Sequence, residues 1–115
     1  MIFYALIDNT GIRRLQTTKK LGLRDFQNYV GIEGESAYIE IIYNQFSDGL
    51  INLSCDEDAH EKELLLTCIT NKGIPLCGQV VAAAYTPGGD TIGLTDEQVQ
   101  IVCDELIVIR RLRTK

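Results

Sequence analysis

The residues best suited to chemistry in this 115-residue chain lie together in Cys55-Asp56-Glu57-Asp58-Ala59-His60-Glu61. Thiolate, imidazole and carboxylate could jointly hold a divalent ion. Structural zinc sites pair their ligands at short spacing, however, and there is no Cys-x-x-Cys here. Alternation in the preceding residues points Cys55 into a core, and Asp58-Ala59-His60-Glu61 reads as the capped start of a helix. No metal site is assigned; Asp56, Asp58 and His60 are the residues an ion would have to use.

His60 is the only histidine. A Cys–His nucleophile would need it beside Cys55, Cys68, Cys77 or Cys103, with a third group to orient it. Cys55, Cys68 and Cys103 fall at apolar positions and are expected to be buried, reduced and inert. No separated carboxylate pair stands out for hydrolysis. Gly88-Gly89, and Gly73 ahead of Pro75, match neither Gly-x-Gly-x-x-Gly nor the Walker pattern; a turn accounts for Gly88-Gly89 and a helix C-cap for Gly73. The sequence thus leans away from an enzyme and calls for no cofactor.

Charge is more informative. The net charge of −5 argues against nucleic acid as the main partner. So does the lack of Trp, with only Phe26 and Tyr29 near a basic run to stack on bases. Nine of the eleven basic residues fall in two segments, Arg13, Arg14, Lys19, Lys20 and Arg24, then Arg110, Arg111, Arg113 and Lys115. Between Asp25 and Glu105, fifteen acids stand against only Lys62 and Lys72. If the first hairpin packs beside the chain's end, Arg13, Arg14, Lys19, Lys20, Arg110, Arg111 and Arg113 provide a basic, partner-binding face.

These residues need a scaffold. At 12.8 kDa, 45% hydrophobic and 23% charged, residues 1–115 are expected to form one globular domain. No apolar run reaches the roughly 18 residues of a membrane span. The start, Met-Ile-Phe-Tyr-Ala-Leu-Ile-Asp, is neither basic nor long enough before Asp8 for a signal peptide, so a cytoplasmic protein with free cysteines is expected.

Residues 2–7 read as a strand covered on both sides, Asp8-Asn9-Thr10-Gly11 as a turn and 12–17 as a returning strand. A short helix follows, with Leu23, Phe26 and Val30 on one face. Ser36–Asn44 and Leu50–Cys55 alternate as strands, the second with Ile51, Leu53 and Cys55 on one side and Asn52 and Ser54 on the other. A helix is expected from Asp58 to about Lys72, closed by Gly73 and Pro75. Residues 77–86 fit a helical face as well; the turn at Pro87-Gly88-Gly89-Asp90 decides for a strand. Thr95-Asp96-Glu97-Gln98 is a capping box, expected to open a long C-terminal helix to about Leu112. The β-branched run Ile107-Val108-Ile109 favours a strand instead, but the capping box outweighs it.

The expectation is an α+β fold: a mainly antiparallel sheet in ββα-type units, with helices packed on a face. An apolar first strand and hairpin at Met1, then a later hairpin and helix, is similar in pattern to longin and other profilin-like interaction domains. The segment after the first hairpin is shorter than the long helix of a longin domain, and no family is assigned. On the last helix Val99, Val102, Cys103, Leu106 and Ile109 form one stripe, while Ile101, Val108 and Leu112 form a second. The second row is expected at the interface of a homodimer. Together these point to a small non-catalytic interaction or regulatory module with a protein partner or a second copy. A small-molecule or metal-ion sensor, or a minor enzyme completed between subunits, is the alternative.

Overall fold

The computed structural model describes residues 1–31 and 35–111. The elements run β1 (Ile2–Asp8), β2 (Gly11–Thr17), α1 (Leu23–Val30), β3 (Ile39–Ile42), β4 (Ile51–Asp56) and β5 (Leu66–Ile69). They continue as β6 (Pro75–Cys77), β7 (Val80–Tyr85), β8 (Thr91–Ile92), α2 (Asp96–Glu105) and β9 (Ile107–Val108). The main sheet has the order β2-β1-β7-β4-β3, with β8 paired to the end of β7. A smaller sheet has the order β6-β5-β9, and every pairing in both is antiparallel. The fold is therefore α+β with mostly antiparallel sheets.

β7 lies at the middle of the main sheet, and Val80–Ala84 are all buried. Three consecutive small alanines, 82–84, let the sheet be covered closely on both faces. One face carries Ala5, Ile7, Ile51, Leu53, Cys55, Val80 and Ala82, under α2 and the small sheet. The other carries Tyr4, Leu6, Val81 and Ala83, under Phe26 and Val30 of α1. Tyr4 is fully buried there, its ring edge-on to Phe26 at 5.9 Å, and its hydroxyl accepts the Leu21 amide at 3.0 Å. That bond anchors the chain as it enters α1.

Two expected helices change. Residues 58–72 do not form one, so the chain is not a threefold run of ββα units. Asp56, and not Asp58, organises this segment: its Oδ1 accepts the Asp58 amide at 2.8 Å, starting a run of turns over 57–63. Glu63, at φ 53°, closes those turns in the left-handed region. Thr67, Ile69 and Thr70 are β-branched, and Leu66–Ile69 finds strands on both sides. The Gly73 turn then joins β5 to β6 and ends no helix.

The C-terminal helix is also shorter than expected. Its start is as read: Thr95 Oγ1 accepts the Gln98 amide at 3.1 Å, and Gln98 Oε1 accepts the Thr95 amide at 2.9 Å. Its end comes at Glu105, because Leu106 turns extended (φ −88°, ψ 129°) and Ile107 and Val108 pair with Ile69 and Cys68. The β-branched run wins once a strand edge is present to receive it. Val108 therefore lies on β9, not α2, and both Ile101 and Val108 pack part-buried against the core of their own chain. They form no exposed helical row; Leu112, the third member, lies outside the described residues. Cys103, expected inside, is exposed, since α2 buries only Val99 and Val102. Replacing Thr95 by Ala removes the cap and is expected to cost about 1 kcal/mol in urea denaturation, with the α2 spectrum otherwise native.

Candidate functional site

Arg110 and Arg111 of the C-terminal basic segment reach the turn of the first hairpin, next to the start of the first basic segment. Asn9 joins them: its Nδ2 donates to the Leu66 carbonyl at 2.9 Å and the Ile109 carbonyl at 2.8 Å. The Arg111 amide donates to the Asn9 carbonyl at 3.1 Å. Arg110 folds over the turn, its Nη1 donating to the Thr10 carbonyl at 2.8 Å. Gly11 makes this approach feasible. At φ 134° it suits a residue without a side chain, and a Cβ there would sit 2.8 Å from the Arg110 guanidinium. The sequence shows Asn9 only as a turn former; its role as a clamp depends on a strand and a C-terminal segment 57 and 100 residues away.

The basic residues are only partly brought together. Arg13, Arg110 and Arg111 gather near the turn. Arg13 reaches Asp8 at 3.1 Å. Burial pushes the Asp8 carboxyl up, but hydrogen bonds from Thr10 and the Arg13 guanidinium outweigh it and hold it below the usual carboxylate range. Arg14, the next residue along β2, projects to the opposite face. There it lies over the Phe3 ring, 4.9 Å from its centroid, and pairs with Asp96 at 3.2 Å. Lys19 and Lys20 follow the far end of β2, about 23 Å along a seven-residue strand from Gly11. The expected broad face thus narrows to a corner made by Arg13, Arg110 and Arg111; Arg113 lies outside the described residues.

The Cys55–Glu61 cluster is built differently from a metal centre. Asp56 is buried and binds Lys62 Nζ at 2.7 Å, an ion pair that raises the Lys62 ammonium above its ordinary range. His60 is exposed and Asp58 half-buried. Among the described residues no three His, Cys, Asp or Glu side chains are grouped closely enough to hold an ion. A cavity of about 210 Å³ does open here, lined by Cys55, Asp56, His60, Pro75 and Cys77 among others. Burial, followed by the charges of Glu40 and Asp56, pushes the Cys55 thiol up to about 12, which suppresses the thiolate a nucleophile needs.

Set beside known protein families, curated proteins and solved structures, the chain matches none of them. No helix among the described residues is long and apolar enough to cross a membrane.

Proposed function

We propose that this chain is a small, non-catalytic interaction module that docks through the basic corner at Arg13, Arg110 and Arg111. One observation carries this reading: Arg110 and Arg111 are tied by hydrogen bonds to Thr10 and Asn9, which brings the end of the chain to the turn that leads into Arg13. The Arg111 side chain is exposed, with no hydrogen bond or ion pair among the described residues. The complementary surface is acidic, on a protein partner or on a second copy, whose residues 25–105 are strongly acidic. The raised Cys55 thiol and the committed Asp56 support a binding role over a catalytic one.

The second-copy case has a natural seam. Among the described residues β9 pairs only with β5, and Ile107 on it is 57% exposed. A homodimer here would keep Val108, on the same strand, near the interface without needing it as its surface.

Sedimentation equilibrium at micromolar concentration tests self-association, and Arg111→Glu and Ile107→Glu are the variants to compare. Each is expected to leave the fold intact and weaken the association. Binding is expected to fall steeply from about 50 to 500 mM salt, as the Debye length shortens about threefold. Val108→Glu is a poor probe, because it would put a carboxylate against the chain's own core. Retention on immobilised poly-glutamate, lost in Arg111→Glu, is the corresponding result for an acidic partner. A monomer that also ignores poly-glutamate at low salt would overturn the proposal.

A further inference from the structure

At the opposite edge of the sheet, α1 leaves part of the face it packs on uncovered. Phe26 and Val30 cover Tyr4, Leu6, Val81 and Ala83, but β3 and the adjoining part of β4 lie beside the helix. A cavity of about 210 Å³ remains there. Leu21, Leu23, Phe26, Ile39 and Ile41 wall it, and Asn52 and Ser54 of β4 line it with Thr91. Leu23 is 65% exposed and Ile41 39%, so the cavity has an open mouth framed by apolar side chains.

Asn52 and Ser54 are out of place for folding alone. They are only 3% and 4% exposed, on a strand flanked by the apolar cross-strand neighbours Ala83, Val81 and Ile41. Asn is disfavoured in strands, and a buried polar group without a partner is destabilising. Among the described residues the side chains of Asn52 and Ser54 take part in no hydrogen bond. Among the described residues no buried side-chain polar atom is sealed away without a partner, and Asn52 and Ser54 line the cavity, onto which their polar atoms open. Both are held in place by β4, which is paired on both sides. Two fixed, unused polar groups inside apolar walls are the arrangement of a small-molecule site.

The chemistry of the lining selects the ligand. No lining residue is charged, so a charged ligand would lose its hydration without compensation. A carboxamide offers a donor and an acceptor side by side, and another amide is its reciprocal match. The volume accommodates one ring and one short substituent, since a dry cavity of about 150 Å³ already takes up benzene. We propose that this cavity binds a small neutral ring compound bearing a carboxamide or lactam, its ring among Leu21, Leu23, Phe26 and Ile41 and its amide on Asn52 and Ser54. The site is independent of the basic corner, which involves the β1–β2 turn and the C-terminal segment.

Amide-resolved NMR titration of the full chain with benzamide, and with benzoate as its charged counterpart, tests this. Benzamide is expected to shift resonances of residues 21–26, 39–41 and 52–54, with a Kd of about 1 mM or tighter for a ligand of that size. Benzoate is expected to bind at least about tenfold more weakly, because no cation compensates its carboxylate. Asn52→Leu, which exchanges the carboxamide for an apolar group, is expected to weaken benzamide about tenfold. Ser54→Ala, a smaller change, is expected to weaken it about threefold and stands in if Asn52→Leu does not fold. No localised shift at about 10 mM benzamide, equal binding of benzoate, or unchanged binding in the folded variants would each overturn the proposal.

Discussion

In the folded protein, Cys103 is expected to react with N-ethylmaleimide at about pH 8 at least about a thousandfold faster than Cys55 or Cys68. Cys103 is exposed on α2, whereas Cys55 is 5% and Cys68 0% exposed. Burial, with the acids Glu40 and Asp56 beside Cys55 and with Cys55 and Cys77 beside Cys68, pushes both thiols up to about 12. At about pH 8 that leaves on the order of one thiolate in ten thousand at each site. The reagent must also wait for local opening before reaching either sulfur. The same shifts predict an alkaline loss of stability. An unfolded thiol releases its proton from about pH 8.5, while the folded one retains it to about 12. Between those values the native state holds more protons, so stability falls as pH rises; below about pH 8.5 the contribution is fully present. Labelling resolved by mass spectrometry, and urea midpoints from about pH 8 to 11, are the measurements. Labelling of Cys68 at the rate of Cys103, or a midpoint unchanged across that range, would contradict the burial described.

The second large effect is expected at Gly93. Replacement by Ala should cost about 2–3 kcal/mol, although the residue lies in a short, half-exposed connection. A Cβ at Gly93 would run into the Ile2 side chain and lie 2.9 Å from the Phe3 carbonyl oxygen. The oxygen cannot easily retreat, because it belongs to β1 and accepts the Leu94 amide at 2.6 Å. This close approach carries the chain from β8 past β1 and into α2. Gly49→Ala is the control, with nothing within 4 Å of the added carbon and an expected change of about 0.5 kcal/mol or less. Urea denaturation of both variants decides it; a Gly93→Ala midpoint no lower than that of Gly49→Ala would show that β1 yields and the contact is not a constraint.

Several elements were legible in the residues because local chemistry and tertiary context agree. The first hairpin follows from an apolar strand, an Asp-Asn-Thr-Gly turn and a half-polar return. α1 follows from Leu23, Phe26 and Val30 at helical spacing, and the start of α2 from the Thr95–Gln98 capping box. The strand at 80–85 was decided by the turn glycines after it, since its alanines suit a helix equally well. The candidate corner was legible as a conditional: two basic segments that matter if they meet. Arg13 and Arg14 were always going to part, because adjacent strand residues face opposite ways.

What the tertiary structure alone decided depends on long-range pairing. Leu64, Leu65, Cys68 and Ile69 satisfy a helical stripe, yet β5 forms because β6 and β9 offer hydrogen bonds on both its edges. For the same reason α2 gives up Ile107 and Val108 to β9, and the exposed helical row expected at a dimer interface dissolves. Asn9 becomes a clamp only when Leu66 and Ile109 arrive beside it. Asn52 and Ser54 read as the polar face of a half-exposed strand, because alternation distinguishes two faces but does not say whether the second is also covered. Here α1, placed over the sheet by Tyr4 and Phe26, covers that face only in part, leaving two polar side chains buried beside a cavity. Periodicity records which side chains share a face; which neighbour arrives to cover that face is set by contacts between residues tens of positions apart.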